Sequence, residues 1–342
     1  MKYLVPLLLV LLCLLCPAVA GAATPMVAGG DDHNLALKSD GTVVAWGANY
    51  AGQLGDSTAT NRNSPVAVTG LTGVVTVAAG GNHSIAVKTD GTVVAWGANY
   101  DGQLGDSTTT DRNSPVAVTG LTGVVAVAAG YVHSIALKSD GTVVAWGNNG
   151  SGQLGDGTTT TRSSPVAVTG LTGVVAVAAS GLHSIALKSD GTVVGWGNNG
   201  YGQLGDGTTT TRTSPVAVLG LTAVVAVAAG DVHSLALKSD GTVVAWGNNG
   251  SGQLGDGTTT TRSSPVAVAS LTGVVAVAAG QFHNLALKSN GTVLAWGSNG
   301  SGQLGDSTNS WRNSPVAVTD LTGAVAVGAG VQHSLRSNST VR

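Results

Sequence analysis

The feature that most constrains this chain is a repeat of 50 residues. His33, His83, His133, His183, His233, His283 and His333 keep that spacing, as do Trp46, Trp96, Trp146, Trp196, Trp246 and Trp296. A chain built this way must fold as a series of similar supersecondary units, each burying its apolar surface against its neighbours. The copies span about 24–73, 74–123, 124–173, 174–223, 224–273 and 274–323, with a partial copy at 324–342.

Each copy reads as four short β-strands. In the third they are Val124–Ala129, Ser134–Lys138, Val143–Gly147 and Pro165–Val168. Asp140-Gly141 is a tight-hairpin signal between the second and third. Gly150 to Ser164 is a long polar connection, and Thr169 to Gly173 is a short turn into the next copy. Composition agrees. There are 52 glycines, only 9% charged residues, and no glutamate among the 17 acids, which favours strands and turns over helices.

Four strands per period point to the blades of a β-propeller. Val143 and Ala145 face one way, Val144 and Trp146 the other, so both faces of each sheet are apolar. A sheet flanked by two others needs that pattern. The first strand is rich in Ala and Gly, which suits the crowded axis. A β-solenoid fits less well, because its coils are shorter and lack hairpins.

His-Ser-x-Ala-Leu, Gly-Thr-Val-x-Ala-Trp-Gly-x-Asn, Gly-Gln-Leu-Gly-Asp and the following Ser-Pro-Val-x-Val recur over roughly residues 25 to 335. These stretches resemble the RCC1 (regulator of chromosome condensation) repeat family. The resemblance implies an all-β, RCC1-like propeller of four-stranded blades, here six complete repeats plus a truncated seventh. It also implies a platform for binding proteins, since the family includes a nuclear guanine-nucleotide exchange factor and a secreted bacterial β-lactamase inhibitor. The family ring usually has seven blades. Residues His333 to Asn338 read as a copy that has lost two residues, so the expectation is an open ring at seven-blade curvature. Sheet faces exposed at its gap would invite self-association; closure at six blades is the alternative.

Residues 1–23 read as a signal peptide, followed by the propeller at 24–342. Lys2 supplies the positive end, and Leu4 to Leu15 is too short to span a bilayer. Small residues at Ala18-Val19-Ala20 and Ala20-Gly21-Ala22 offer cleavage sites. The protein is expected to be secreted, periplasmic or displayed on the cell surface, with no integral span after cleavage. Lipid anchoring at Cys16 is the less favoured route. Cys13 and Cys16 are the only cysteines, so no disulfide is expected in the processed chain.

No catalytic constellation, cofactor site or metal site is expected. Histidines one per blade lie too far apart to share an ion, and each reads as an orienting hydrogen-bond residue at a strand start. Each Trp reads as core, with its N–H on a backbone carbonyl. Asp56, Asp106, Asp156, Asp206, Asp256 and Asp306 recur with Arg62, Arg112, Arg162, Arg212, Arg262 and Arg312, which suggests a structural pair across each long loop. Calcium in those loops would need more carboxylates. Glycosidase chemistry would need two acids in different environments, whereas these are copies. A net charge of −2 with no basic patch disfavours nucleic acid.

The copies differ mainly in the pair before each His and along the long loop. By antiparallel connectivity both lie on one face of the ring. Outside the periodic tryptophans and the signal peptide, every aromatic falls there: Tyr50, Tyr100, Tyr131, Tyr201, Phe282 and Trp311. Tyr and Trp anchor protein interfaces. Together with Asp101, Leu182 and Asp231 they form the candidate partner-binding set. The function expected is a non-enzymatic binding scaffold for a protein or glycan. The alternatives are a structural surface module, nucleotide exchange by family analogy, and an extracellular hydrolase.

Overall fold

The computed structural model describes residues 23–338, and these contain strands and turns but no helix. The signal-peptide reading, apart from Ala23, and both cysteines lie outside the described residues. Six sheets each hold four antiparallel strands in sequence order, and a seventh holds two, Ala324–Ala329 and Ser334–Asn338. The third blade comprises Val124–Ala129, His133–Lys138, Val143–Gly147 and Arg162–Ala167. Its fourth strand starts earlier than Pro165 because Arg162 already pairs with Gly147. A proline is tolerated there because the strand forms the outer edge of its sheet. No helix among the described residues is long and apolar enough to cross a membrane.

The core lies between blades. Leu35, Leu37, Val43 and Ala45 of the first blade pack against Val77, Ala86 and Trp96 of the second. The same layer recurs at the next junctions around Trp146, Trp196, Trp246 and Trp296. All five of these indoles are fully buried. Each donates its N–H to the carbonyl of Gln53, Gln103, Gln153, Gln203 or Gln253 on the preceding blade, at 2.8–3.0 Å.

A second inter-blade stitch runs nearer the axis. Nε2 of His83 meets Ser134 Oγ at 2.9 Å, and Ser134 Oγ in turn donates its one hydrogen to the Gln103 carbonyl. The histidine must therefore be the donor, and so is neutral and protonated on Nε2. Its Nδ1 is buried with no partner, as in His33, His133, His183, His233 and His283. Burial pushes the pKa of His83 down to about 4 and that of His133 to about 3. The glycine three residues earlier leaves room for the ring: a Cβ on Gly80 would collide with His83 Cε1.

The hub of the ring is closed, which corrects the expectation of an open gap and also excludes closure at six blades. Strand Ala324–Ala329 packs between the first strands of blades six and one. Val331 N donates to Gly30 O at 3.3 Å, and His333 Nε2 donates to Asn34 Oδ1 at 2.6 Å. Only the outer half of the seventh blade is missing from the described residues. The reading of two lost residues is also corrected. Asn338 pairs with Ala324 just as Lys288 pairs with Val274, so Arg336 occupies the place of Ala286 and no residue has dropped out of the strand.

Candidate partner-binding face

The long loop that presents each candidate residue is organised by one buried asparagine. Asn149 Nδ2 reaches Asp156 Oδ1 and the carbonyls of Thr158 and Thr160 at 3.0–3.1 Å, while its Oδ1 accepts from Leu154 N at 3.0 Å. The sequence reading gave this residue no role. The signal was present, since Asn49, Asn99, Asn149, Asn199, Asn249 and Asn299 repeat with the tryptophans and are all fully buried. The Asp–Arg pair does span the loop, at 3.0 Å for Asp156 and Arg162. Burial pushes the Asp156 carboxyl up, but hydrogen bonds from Thr158 and then Arg162 outweigh it and hold the group below its usual range. The Asp–Arg pairs are therefore internal to the loops and leave the variable positions free to differ.

The variable residues emerge on the face fed by these loops. Tyr50, Tyr100 and Trp311 are 61%, 56% and 59% exposed, and Tyr131 and Tyr201 nearly half. Three of them gather across blades one to three. Tyr50 OH donates to Asn82 Oδ1 of the next blade. Tyr131 lies over Gly81, where a Cβ would come within 2.8 Å of its ring. Burial raises the phenol pKa of Tyr50, and the charges of Asp32 and Asp31 raise it further. That of Tyr100 is raised by burial, then by Tyr131 and Asp101. Tyr201 belongs to blade four and Trp311 to blade six, outside this cluster. Leu182 and Phe282 are half-buried, and their carbonyls accept from Asn198 N and Ser298 N within their own blades at 2.8–2.9 Å.

The cluster borders the mouth of the axial channel, a space of about 280 Å³ whose rim includes Asp31, Tyr131 and Asp231. Ser180 Oγ donates to Asp231 Oδ1 at 3.1 Å. Asp101 Oδ1 accepts from Asn148 Nδ2 at 3.0 Å. Burial pushes Asp31 up to about 7, helped by the charges of Asp231 and Asp32. Asp31 and Asp32 were visible as a variable pair but were not singled out. Among the described residues, Asp31, Asp32, Asp101, Asp111 and Asp231 make no ion pair on this face. The lysines sit in the opposite turns, as with Lys138 and Asp140 at 3.6 Å.

A family model described as RCC1-like domain matches residues 12–336. The chain belongs to that family. Among solved structures this RCC1-like ring is similar to human WBSCR16, with 27% identity and a TM-score of 0.84, covering 93% of this chain and 88% of that one. It is similar to Prp20p from Saccharomyces cerevisiae, studied for its binding to Gsp1p and histones, at 26% identity and a TM-score of 0.79, covering 91% and 81%. It also resembles yeast RCC1 (Prp20) in a complex with Kap60, at 27% identity and a TM-score of 0.80, covering 91% and 79%. The RCC1-like repeats thus account for both the stitched hub and the loop face.

Proposed function

We propose that this RCC1-like ring is a secreted, non-enzymatic scaffold that binds a protein through the loop face of blades one to three, and that the partner offers lysine or arginine there. The observation that carries the reading is the cluster of Tyr50, Tyr100 and Tyr131 beside Asp31, Asp32 and Asp101. Exposed aromatic faces attract cations, and unpaired carboxylates next to them reinforce that choice. The yeast relative Prp20p is described as binding Gsp1p and histones, so a ring of this family can serve as a protein platform. Export rests on Lys2 and the apolar run Leu4 to Leu15.

The test is titration of the full chain with a lysine- and arginine-rich decapeptide and with an acidic decapeptide of equal length. Saturable binding of the basic peptide alone, weakened by salt, supports the reading. Equal binding of both, or of neither, contradicts it. N-terminal sequencing of chain recovered outside the cytoplasm tests export separately: a start just after Ala20 or Ala22 supports it, and a retained Met1 overturns it.

A further inference from the structure

The outer gap beside the seventh sheet is a copy of a socket that the chain fills five times elsewhere. In each filled copy a third-strand tryptophan drops onto the preceding blade and donates to a Gln carbonyl, as Trp296 does to Gln253 O at 3.0 Å. On blade six, Leu285, Val293, Leu304, Val318 and Leu321 form the same walls around a cavity of about 430 Å³. The Gln303 carbonyl accepts from Ser334 Oγ at 2.8 Å, and no indole reaches it among the described residues. Gly255 shows what is absent: a Cβ there would lie 2.8 Å from Trp296 Nε1, whereas one on Gly305 would meet only Val318 Cγ1 at 3.0 Å.

Two further observations describe the occupant. Strand Ser334–Asn338 is paired on one side only, while its counterpart His283–Lys288 is paired on both. Across the gap, Trp46 is only half-buried, although the five later tryptophans of the series are fully buried. An extended segment added to the free edge would recover ladder hydrogen bonds, bury Trp46 and set its own side chain in the socket.

We propose that this gap is an acceptor groove for an extended partner segment carrying tryptophan in a Val-x-Ala-Trp-Gly pattern. The five filled sockets fix that chemistry: an indole with its N–H toward Gln303 O, on a strand antiparallel to Ser334–Asn338. Arg336 stands where filled sockets have Ala86, Ala136, Ala186, Ala236 or Ala286, and it is exposed on the open side. Its side chain must swing aside as the strand enters.

The experiment titrates the full chain with a synthetic peptide copying Asn290–Gly300 and with the same peptide carrying Trp296→Ala. The expected result is saturable binding that weakens roughly thirtyfold without the indole. Gly305→Asn, a residue that tolerates the left-handed backbone at φ 61, places a side chain in the socket and should abolish binding without unfolding the ring. Arg336→Ala, which restores the alanine of the filled copies, should tighten it. Equal binding of the two peptides, or none, overturns the proposal. So does a concentration-dependent dimer that Gly305→Asn abolishes and the peptide does not compete with, because a second copy would then own the surface.

Discussion

His333 Nε2 donates to Asn34 Oδ1 at 2.6 Å, joining residues 299 positions apart. Asn34 is the partner by which the first blade closes the hub, as Ser84, Ser134, Ser184, Ser234, Asn284 and Ser334 do at the other six junctions. The contact sits in the shared stitch, so its worth can be measured without touching the candidate binding face.

Replacing Asn34 with Leu should cost about 2 kcal/mol, because the His333 N–H loses its acceptor at a largely enclosed site. Asn34→Ser should be far milder, since serine serves at five of the other junctions. Urea unfolding midpoints of the two variants check this. Equal loss in both would place the stability of closure elsewhere.

The hub histidines predict steep acid unfolding. Folded pKa values of about 3 for His33, His133, His183 and His283, and about 4 for His83 and His233, lie below the ordinary 6.5. The unfolded chain therefore binds the extra protons. Their contribution is complete above pH 6.5 and is lost as the pH falls toward 3–4. Asp31 acts in the opposite sense, because its carboxyl is raised to about 7 and holds a proton in the folded state. The net slope should approach roughly 7 kcal/mol per pH unit near pH 5. Unfolding free energies measured between pH 7 and pH 4.5 check it, and His133→Gln should reduce the proton uptake by one.

Asn149→Ala should destabilise by about 3 kcal/mol, because it strips donors from two loop carbonyls and Asp156 and an acceptor from the buried Leu154 N–H. Thermal unfolding measures the loss. Hydrogen exchange should show faster exchange at Leu154 N, with the hub of that blade still protected.

Much of this was legible in the sequence because the copies repeat. The strands of the third copy, the Trp N–H on a carbonyl, the histidine at a strand start and the Asp–Arg pair all follow from residue type and period. Asn149 was missed because a buried amide that serves three loop segments looks like any polar loop residue until the loop is folded around it. The seventh sheet was misread for a different reason. Ser337-Asn338 matches the turn residues Ser289-Asn290 by letter, yet the backbone ladder with Ala324–Ala329 continues whatever the side chains are. Closure through Asn34 depends on curvature, which no single copy contains.

Asp231→Asn should lower the pKa of Asp31 only in part, since burial is the larger cause of its rise and Asp231 the next. Carbon-detected NMR titration of the Asp31 carboxyl measures this. Binding of a basic ligand at the mouth should strengthen as Asp31 ionises near pH 7, and a flat pH dependence there would remove Asp31 from the interface.

The most direct measurement of the central claim compares affinity for the basic decapeptide in Tyr50→Ala, Tyr131→Ala, Asp140→Asn and Asp190→Asn. The tyrosine variants change no charge at neutral pH, so a loss in them reports the aromatic cluster rather than general electrostatics. Each should weaken binding by about 1–2 kcal/mol if it is an anchor, and both turn variants on the opposite face should bind as the parent does. Unchanged affinity in both tyrosine variants, or loss in the turn variants instead, would contradict the account.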